Sequence, residues 1–436
     1  MNIVLLSGGS GKRMWPLSND IRSKQFIKLF KRDDGEYESM VQRVYRQIKS
    51  VDPDSCVTIA TSKTQVSAIH NQLGEQVSVC VEPDRRDTFP AIALAAAYLH
   101  HELGIAEEEA VIVCPVDPYV DNSYYEAVLR MEDIVKNSDK NLTLMGIEPT
   151  YPSEKYGYIL PSNSDEISGV KEFKEKPDLK RAQEYIAAGA LWNAGVFAFK
   201  LGYLLDKAHN IMDFIDYKDL YNHYDKCTKI SFDYAIVEKE PSIQVLRHKG
   251  EWKDVGTWNM MAEVMADEVK GNAILDDTTE RTNVVNELDI PILVMGAKDM
   301  VIAASGDGIL IADKEQSSYM KPYVEKISTE ARYAEKSWGS YSVIDAGKGY
   351  LNNKVVLKPG NRMSYHSHEF RDEVWTVLSG SGKVIIDGME QIVNAGDVVT
   401  MAAGCKHTVI ADTELTILEA QLGDVISVKD KKKYNI

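Results

Sequence analysis

An apolar run, Ile3-Val4-Leu5-Leu6, passes without a break into Ser7-Gly8-Gly9-Ser10-Gly11-Lys12-Arg13-Met14-Trp15-Pro16-Leu17, with Lys24 a short way on. A strand that ends in closely spaced glycines can turn sharply and bring backbone amides up to an anion, because no side chain stands in the way. Lys12, Arg13 and Lys24 supply the positive charge that a displaced pyrophosphate needs. The spacing is not that of a dinucleotide fingerprint, which requires a further glycine beyond its G-x-G, nor that of a P-loop, which ends in Gly-Lys-Ser/Thr. What remains is G-G-x-G-x-R-x-x-P-L followed by a lysine. A plain glycine turn between a first strand and a first helix leaves those fixed offsets unexplained.

At 436 residues the chain exceeds one ordinary core, so two or three domains are expected. Its 44% hydrophobic and 27% charged residues are those of a soluble globular protein. It opens on a strand and has no apolar stretch of bilayer length, which points to a cytoplasmic protein without signal peptide or membrane partner. The cysteines Cys56, Cys80, Cys114, Cys227 and Cys405 are odd in number and lack C-x-x-C spacing, so they read as reduced, buried thiols. A net charge of −16 argues against nucleic acid as a partner and makes the cations of the first loop a local exception.

Over residues 1 to about 150, strand-like runs at 56–60, 77–81, 111–114 and 142–145 alternate with helical patterns, clearest over 88–103 and 122–135. This predicts an α/β, Rossmann-like architecture: a mixed, mostly parallel sheet covered on both faces, with ligands gathering at the carboxyl ends of the strands. Strands near Tyr158, Val170 and Val196 and helices over 179–188 and 257–265 complete a catalytic domain spanning 1–268. A small β-rich connector, 269–330, carries strands at 292–295, 300–303 and 308–312 and a helical stretch over 314–327, with no obvious chemistry. From 331 to 436, short strands separated by glycine turns predict an all-β barrel or jelly roll.

Two carboxylates stand out in the catalytic part. Val111-Ile112-Val113-Cys114-Pro115-Val116-Asp117 is a buried strand with an aspartate at its end, and Trp252-Lys253-Asp254-Val255-Gly256-Thr257-Trp258 carries another. Mg²⁺ takes one or two carboxylates together with phosphate oxygens and water, so both are candidate ligands, although either alone is more readily a loop cap or turn residue. Four further segments follow a fixed order with these: Glu82-Pro83 with Arg86-Asp87-Thr88-Phe89-Pro90-Ala91, Tyr156-Gly157-Tyr158, Phe173-Lys174-Glu175-Lys176-Pro177, and Trp192-Asn193-Ala194-Gly195-Val196-Phe197. Together they resemble the mannose-1-phosphate guanylyltransferase branch of the sugar-1-phosphate nucleotidyltransferases. The resemblance implies that Gly8, Gly9, Gly11, Lys12, Arg13 and Lys24 hold the triphosphate of GTP. It places Glu82, Arg86 and Thr88 by the nucleotide, Gly157, Glu175, Lys176 and Asn193 on the sugar 1-phosphate, and Asp117 with Asp254 on Mg²⁺. Arg13, Lys24, Asp117 and Asp254 form the implied catalytic set. Two departures stand out: the family usually has Asn where Asp87 stands and His where Pro118 stands. The chemistry asks for positioning and charge neutralisation, and no Ser-His-Asp grouping is required or found.

Near the C-terminus, Tyr365-His366-Ser367-His368-Glu369-Phe370-Arg371-Asp372-Glu373-Val374-Trp375 is followed by Cys405-Lys406-His407. His366 and His368 alternate on a strand and share a face; Glu373 and His407 can complete an N/O site for Zn²⁺, Mn²⁺, Co²⁺ or Ni²⁺. This resembles the cupin motif, and behind a guanylyltransferase it resembles the type II phosphomannose isomerase domain. Two extra residues separate the histidines from the glutamate, and the ending lacks that family's long acidic, arginine-bearing tail. Mannose-6-phosphate isomerisation is therefore expected to be weak or absent.

The expected activity is synthesis of GDP-mannose from GTP and mannose 1-phosphate. The alternatives are the same chemistry on another nucleotide or sugar 1-phosphate, for example giving a GDP-heptose, and a nucleotide-sugar-binding regulatory protein. Intact Gly8, Arg13, Lys24, Asp117 and Asp254 speak against the last. A homodimer is left open.

Overall fold

A computed structural model describes residues 1–9, 11–19, 21–327 and 331–435. The chain divides into two compact units, Met1–Ser10 with Gln25–Ala266, and Gly11–Lys24 with Asp267–Ile436. Ser10 of the glycine loop and the expected boundary at 330 lie outside the described residues.

A nine-stranded sheet carries the first unit, in the order Ser78–Glu82, Cys56–Ser62, Asn2–Leu6, Ala110–Pro115, Leu191–Lys200, Leu142–Ile147, Ile243–His248, Ile167–Lys174, Tyr158–Pro161. Its first four strands run parallel, each joined to the next in sequence through a helix, as a crossover requires. Leu191–Lys200 then runs antiparallel to both neighbours, and Ile243–His248 runs parallel to Leu142–Ile147. The mixed character thus begins where the chain returns from its excursion over 156–190, and apolar alternation in a strand holds no record of that direction.

The helix Thr88–His101 shows how closely the layers pack. Phe89 to Ala97 and Leu99 are all buried, so almost its whole circumference is inside. Ala93, Ala95 and Ala97 keep it slim, and it shares a core with Val4, Ala60, Cys80, Val111 and Val113 of the sheet. Asp121 caps the next long helix, Asn122–Asn137, by accepting from the amide of Ser123. No cysteine is in a disulfide; Cys80, Cys114 and Cys227 are buried, whereas Cys56 and Cys405, expected buried, are half-buried. Among the described residues no helix is long and apolar enough to cross a membrane.

In the second unit, Val269–Lys270, Asn283–Asn286 and Met300–Ser305 pair in parallel, and Gly308–Asp313 closes the sheet as a hairpin. Ala273–Leu275 and Ile292–Val294 form a second parallel pair. Val284, Val294 and Ile302 are the buried centre of this small ladder. The helix expected over 314–327 is a 3₁₀ turn, Gln316–Tyr319, and one α turn, Lys321–Val324, because Pro322 can start a helix but not continue one. The barrel follows. Its six-stranded sheet orders Tyr333–Lys336, Gly339–Gly347, Tyr350–Leu357, Leu415–Leu422, Asp372–Ser379 and Val398–Met401; its five-stranded sheet orders Met389–Asn394, Ser381–Ile386, His407–Ala411, His366–His368 and Lys431–Lys433. Trp375, Val377, Val384, Val393, Leu415 and Ile417 fill the space between them.

The tight seat of Thr88–His101 gives a stability test. Ala95→Leu adds volume where no side of the helix is free and is expected to cost about 1–3 kcal/mol, read as a lower thermal midpoint; an unchanged midpoint would contradict this packing.

Candidate active site and metal centre

Ser7 is pinned at the end of the first strand. Its amide donates to Ala60 O at 2.9 Å, and Gln25 Nε2 donates to Ser7 Oγ at 3.1 Å and to its carbonyl at 3.2 Å. Gly8 follows against Glu82: a Cβ at Gly8 would lie 3.5 Å from Glu82 Oε1. Tyr224 Oη donates to Glu82 Oε2 at 3.0 Å, and burial pushes the Glu82 carboxyl up to about 7. Arg85, which the sequence pattern did not single out, donates to Gly9 O at 3.4 Å, whereas Arg86 pairs with Asp84 at 3.1 Å. Lys12 and Arg13 lie in the 3₁₀ turn Gly11–Met14 and Lys24 opens another, Lys24–Phe26; Gly11–Lys24 is grouped with the second unit.

One cleft of the first unit gathers most of the other candidates. Asp117, Asp254, Gly157, Glu175, Asn193 and Thr88 all line it. The aspartates meet because the short strands Pro118–Val120 and Trp252–Asp254 pair antiparallel, with Asp254 opposite Pro118. Asn193 is aimed by a break in register between Asn193 and Phe197, where Gly195 takes φ +72° and donates its amide to Asn193 Oδ1 at 3.0 Å. Gly157 leaves room for its neighbours: a Cβ there would fall 2.5 Å from Glu175 Oε2 and 3.3 Å from Asn193 Cβ. Lys176, at φ +46°, forms an ion pair with buried Glu175.

Asp233 is the residue that sequence reasoning missed. It lines the cleft and accepts from Asn193 Nδ2 at 2.8 Å. Burial first, then the charge of Glu175, push its carboxyl up to about 7. Its one-turn helix, Phe232–Ala235, is capped by Ser231 and tied to Thr88, whose Oγ1 accepts from Phe232 N at 2.8 Å. Thr88 therefore positions this turn. The available signal was a serine cap with an acidic residue two positions on, a pattern shared by many structural turns. Tyr156, Trp192 and Trp252 form an aromatic wall, with centroids 4.8 Å apart for Tyr156 and Trp192 and 5.6 Å for Tyr156 and Trp252. The buried indole Nε1 of Trp252, a cleft-lining residue, has no hydrogen-bond partner among the described residues.

The barrel brings together all four residues expected there. His366 lies opposite His407 across the ladder, and the ring nitrogens of His366, His368 and His407 gather within 4.8 Å of one another. Glu373 Oε1 is 3.1 Å from His368 Nε2, and Oε2 is 3.3 Å from His407 Nε2. The two extra residues before Glu373 form the turn out of the strand His366–His368 and do not displace the carboxylate. His366 Nδ1 lies 2.6 Å from Ser364 O and His407 Nδ1 lies 3.1 Å from Cys405 O, an arrangement that leaves each Nε2 for a metal. Burial, aided by the charge of Lys431, holds His366 well below its usual range, and burial likewise lowers His368, which keeps both in the neutral form that can bind a metal. Burial of Glu373 is overcome by its hydrogen bond with His407 and by the charge of Arg371 among other contacts, which hold it well below the usual carboxylate range. The C-terminal strand Lys431–Lys433 pairs with the histidine strand, Lys431 opposite His368. Burial, which outweighs the pull of Glu419 and Glu373, brings the Lys431 ammonium down to about 8. The tail lacks the family's long arginine-bearing ending and still sets a lysine opposite the histidine strand.

Residues 2–271 match the model of the nucleotidyl transferase family, and the chain belongs to that family. Residues 325–435 match a second model, mannose-6-phosphate isomerase C-terminal. Among curated relatives, the chain is similar to the mannose-1-phosphate guanylyltransferase of Escherichia coli K12, 29% identical over 99% of this chain and 97% of that protein. It is also similar to the alginate biosynthesis protein AlgA of Pseudomonas aeruginosa, 28% identical over 98% of this chain and 95% of that one. Among solved structures it resembles one described as a mannose-1-phosphate geranyltransferase from Thermus thermophilus, with a TM-score of 0.61, 26% identity, and coverage of 75% of this chain and 99% of that one.

The raised Asp233 carboxyl makes a prediction with a sign. An aspartate near 4 in the unfolded chain and at about 7 in the folded protein contributes stability that is full below pH 4 and is lost as pH rises through 7. Asp233→Asn keeps an acceptor for Asn193 but removes this titration, so its melting temperature should fall less between about pH 4 and 7 than that of the parent. Equal slopes would refute the assignment.

Proposed function

We infer that this chain makes GDP-mannose by transferring a guanylyl group from GTP to mannose 1-phosphate. A phosphate oxygen of the sugar 1-phosphate attacks the α-phosphorus, the bond to the bridging oxygen breaks, and pyrophosphate leaves with the electron pair. The observation that carries the reading is the convergence of Asp117, Asp254, Gly157, Glu175 and Asn193 on one cleft at the strand ends. Asn193 in the cleft and Lys176 beside it, paired with the cleft-lining Glu175, anchor the sugar phosphate, with Glu175 and Asp233 as acceptors for sugar hydroxyls. Glu82, Arg86 and Thr88 lie by the nucleotide, and Gly8, Gly9, Gly11, Lys12, Arg13 and Lys24 receive the triphosphate. Asp117 and Asp254, a pair of hard oxygen donors, fit Mg²⁺, which neutralises charge on the phosphates when bound. The relatives named for alginate and guanylyltransferase functions support a product that feeds polysaccharide assembly. The unpaired cysteines fit a reaction in the cytoplasm.

The barrel is read as a metal-binding cupin. Its three imidazoles and one carboxylate fit Zn²⁺, Mn²⁺, Co²⁺ or Ni²⁺. Lys431 and Arg371 beside them favour a phosphorylated ligand, so mannose-6-phosphate isomerisation becomes an activity to measure.

Two experiments test these readings. In a pyrophosphate-release screen, GTP with mannose 1-phosphate should be the preferred pair, and Asp117→Ala and Arg13→Ala should each lower turnover by roughly 10²-fold or more while remaining folded by circular dichroism. Faster turnover with another nucleotide would defeat the base assignment; near-parent rates in either variant would remove that residue from the mechanism. For the barrel, elemental analysis should find about one transition metal per chain, lost in His366→Ala and His368→Ala. A coupled assay after metal loading should detect fructose 6-phosphate with the parent and much less with Lys431→Ala. Metal content that ignores the histidine changes would sink the site.

A further inference from the structure

The connector showed no chemistry in its sequence, yet the loop Gly11–Lys24 is fastened to it at several points. Asn19 is the hub. Its Oδ1 accepts from the amides of Ile21 at 2.8 Å and Arg22 at 2.7 Å, closing the turn, and its Nδ2 donates to Asp307 Oδ2 at 2.7 Å. Arg22 makes a two-pronged bond to Glu287, 2.7 Å from Nη1 and 3.0 Å from Nη2, and lies over the ring of Tyr333 at 5.3 Å. Ser305 Oγ donates to Pro16 O at 2.7 Å. Gly308 has φ +150°, and a Cβ there would lie 2.4 Å from the Trp15 ring, so the hairpin has been left bare where the tryptophan sits.

These anchors come from one short stretch, 287–308, and grip both the middle and the end of a loop that carries Lys12, Arg13 and Lys24. A loop with several like charges gains entropy and relieves repulsion by moving apart; holding it still requires partners outside itself. The anchor groups touch backbone and the side chains Asn19, Arg22 and Trp15, none of them a candidate phosphate ligand.

We propose that Glu287, Ser305, Asp307 and Gly308 are positioning residues for the guanylyl transfer, holding the triphosphate-binding loop in its working shape before GTP arrives. This rests on the reading of Lys12, Arg13 and Lys24 as triphosphate ligands. A preformed loop spares GTP the cost of ordering it, so loosening the anchors weakens GTP and leaves the sugar phosphate untouched.

The test uses the full-length chain with Asp307→Ala, the milder Glu287→Gln, and the swap of Arg22→Glu with Glu287→Arg. Hydrogen exchange of amides in residues 12–24 should quicken in the first two. The KM for GTP should rise about five- to tenfold, the size expected for losing one charge-assisted anchor, with the KM for mannose 1-phosphate unchanged. The swap should recover part of both effects, which a general loss of folding would not do. Exchange in 12–24 equal to the parent overturns the proposal, as does faster exchange with an unchanged KM for GTP. Arg13→Ala separates the two readings: a normal KM for GTP in that variant defeats the phosphate role of the loop, while the exchange data still report on the anchors.

Discussion

The three-residue ladder between Pro118–Val120 and Trp252–Asp254 makes the cleft a site. Its register sets Trp252 opposite Val120, Lys253 opposite Tyr119 and Asp254 opposite Pro118, so carboxylates from distant parts of the chain arrive side by side. Glu175 and Asp233 add two more to the same walls. Gathering four carboxylates in a partly dry cleft costs free energy unless their charge is offset. The protein meets Glu175 with the Lys176 ammonium and raises the proton affinity of Asp233. Burial first, then a hydrogen bond with Tyr151, and only then the charges of Asp254 and Asp117 push the ionisation of the Tyr156 hydroxyl well above the ordinary tyrosine range.

The parts legible in the sequence were those written locally. The opening strand, the buried helix from Thr88, the hairpin turns of the barrel and the shared face of His366 and His368 all follow from periodicity or turn chemistry. What escaped was long-range. The antiparallel return of Leu191–Lys200 and the pairing of Lys431–Lys433 with the histidine strand depend on which edges are free once other strands are placed, and no local pattern encodes that. Asp233 escaped for a different reason: a short capped turn looks the same whether its aspartate lines a cleft or a surface. The grouping of Gly11–Lys24 with the second unit was hidden because its anchors, Glu287 and Asp307, read as ordinary surface acids in a connector.

The barrel follows a related logic with different donors. Burial keeps His366 and His368 neutral, backbone carbonyls engage the Nδ1 atoms of His366 and His407, and Arg371 donates from Nε to Glu373 at 3.1 Å to hold the carboxylate charged. Neutral imidazoles with one anion would leave a bound dication with net positive charge, which would suit an anionic ligand. Lys431 adds to that sign.

The two departures from the family pattern can be judged by the work their positions do. Asp87 adopts φ +70°, a backbone that glycine takes freely and that Asn and Asp tolerate better than other side chains, and its Oδ1 accepts from Thr88 N at 2.8 Å. Asn offers the same acceptor and tolerates the same backbone, so aspartate preserves the start of the Thr88 helix and, through Thr88 Oγ1, the turn that carries Asp233. Pro118 begins its strand and belongs to a sheet of only two strands, where a missing amide donor is least costly. It still faces Asp254 and keeps the register that aligns the aspartates. Both residues therefore spare the local backbone geometry, and of the two only Pro118 lines the cleft, where it puts an apolar ring in place of an imidazole.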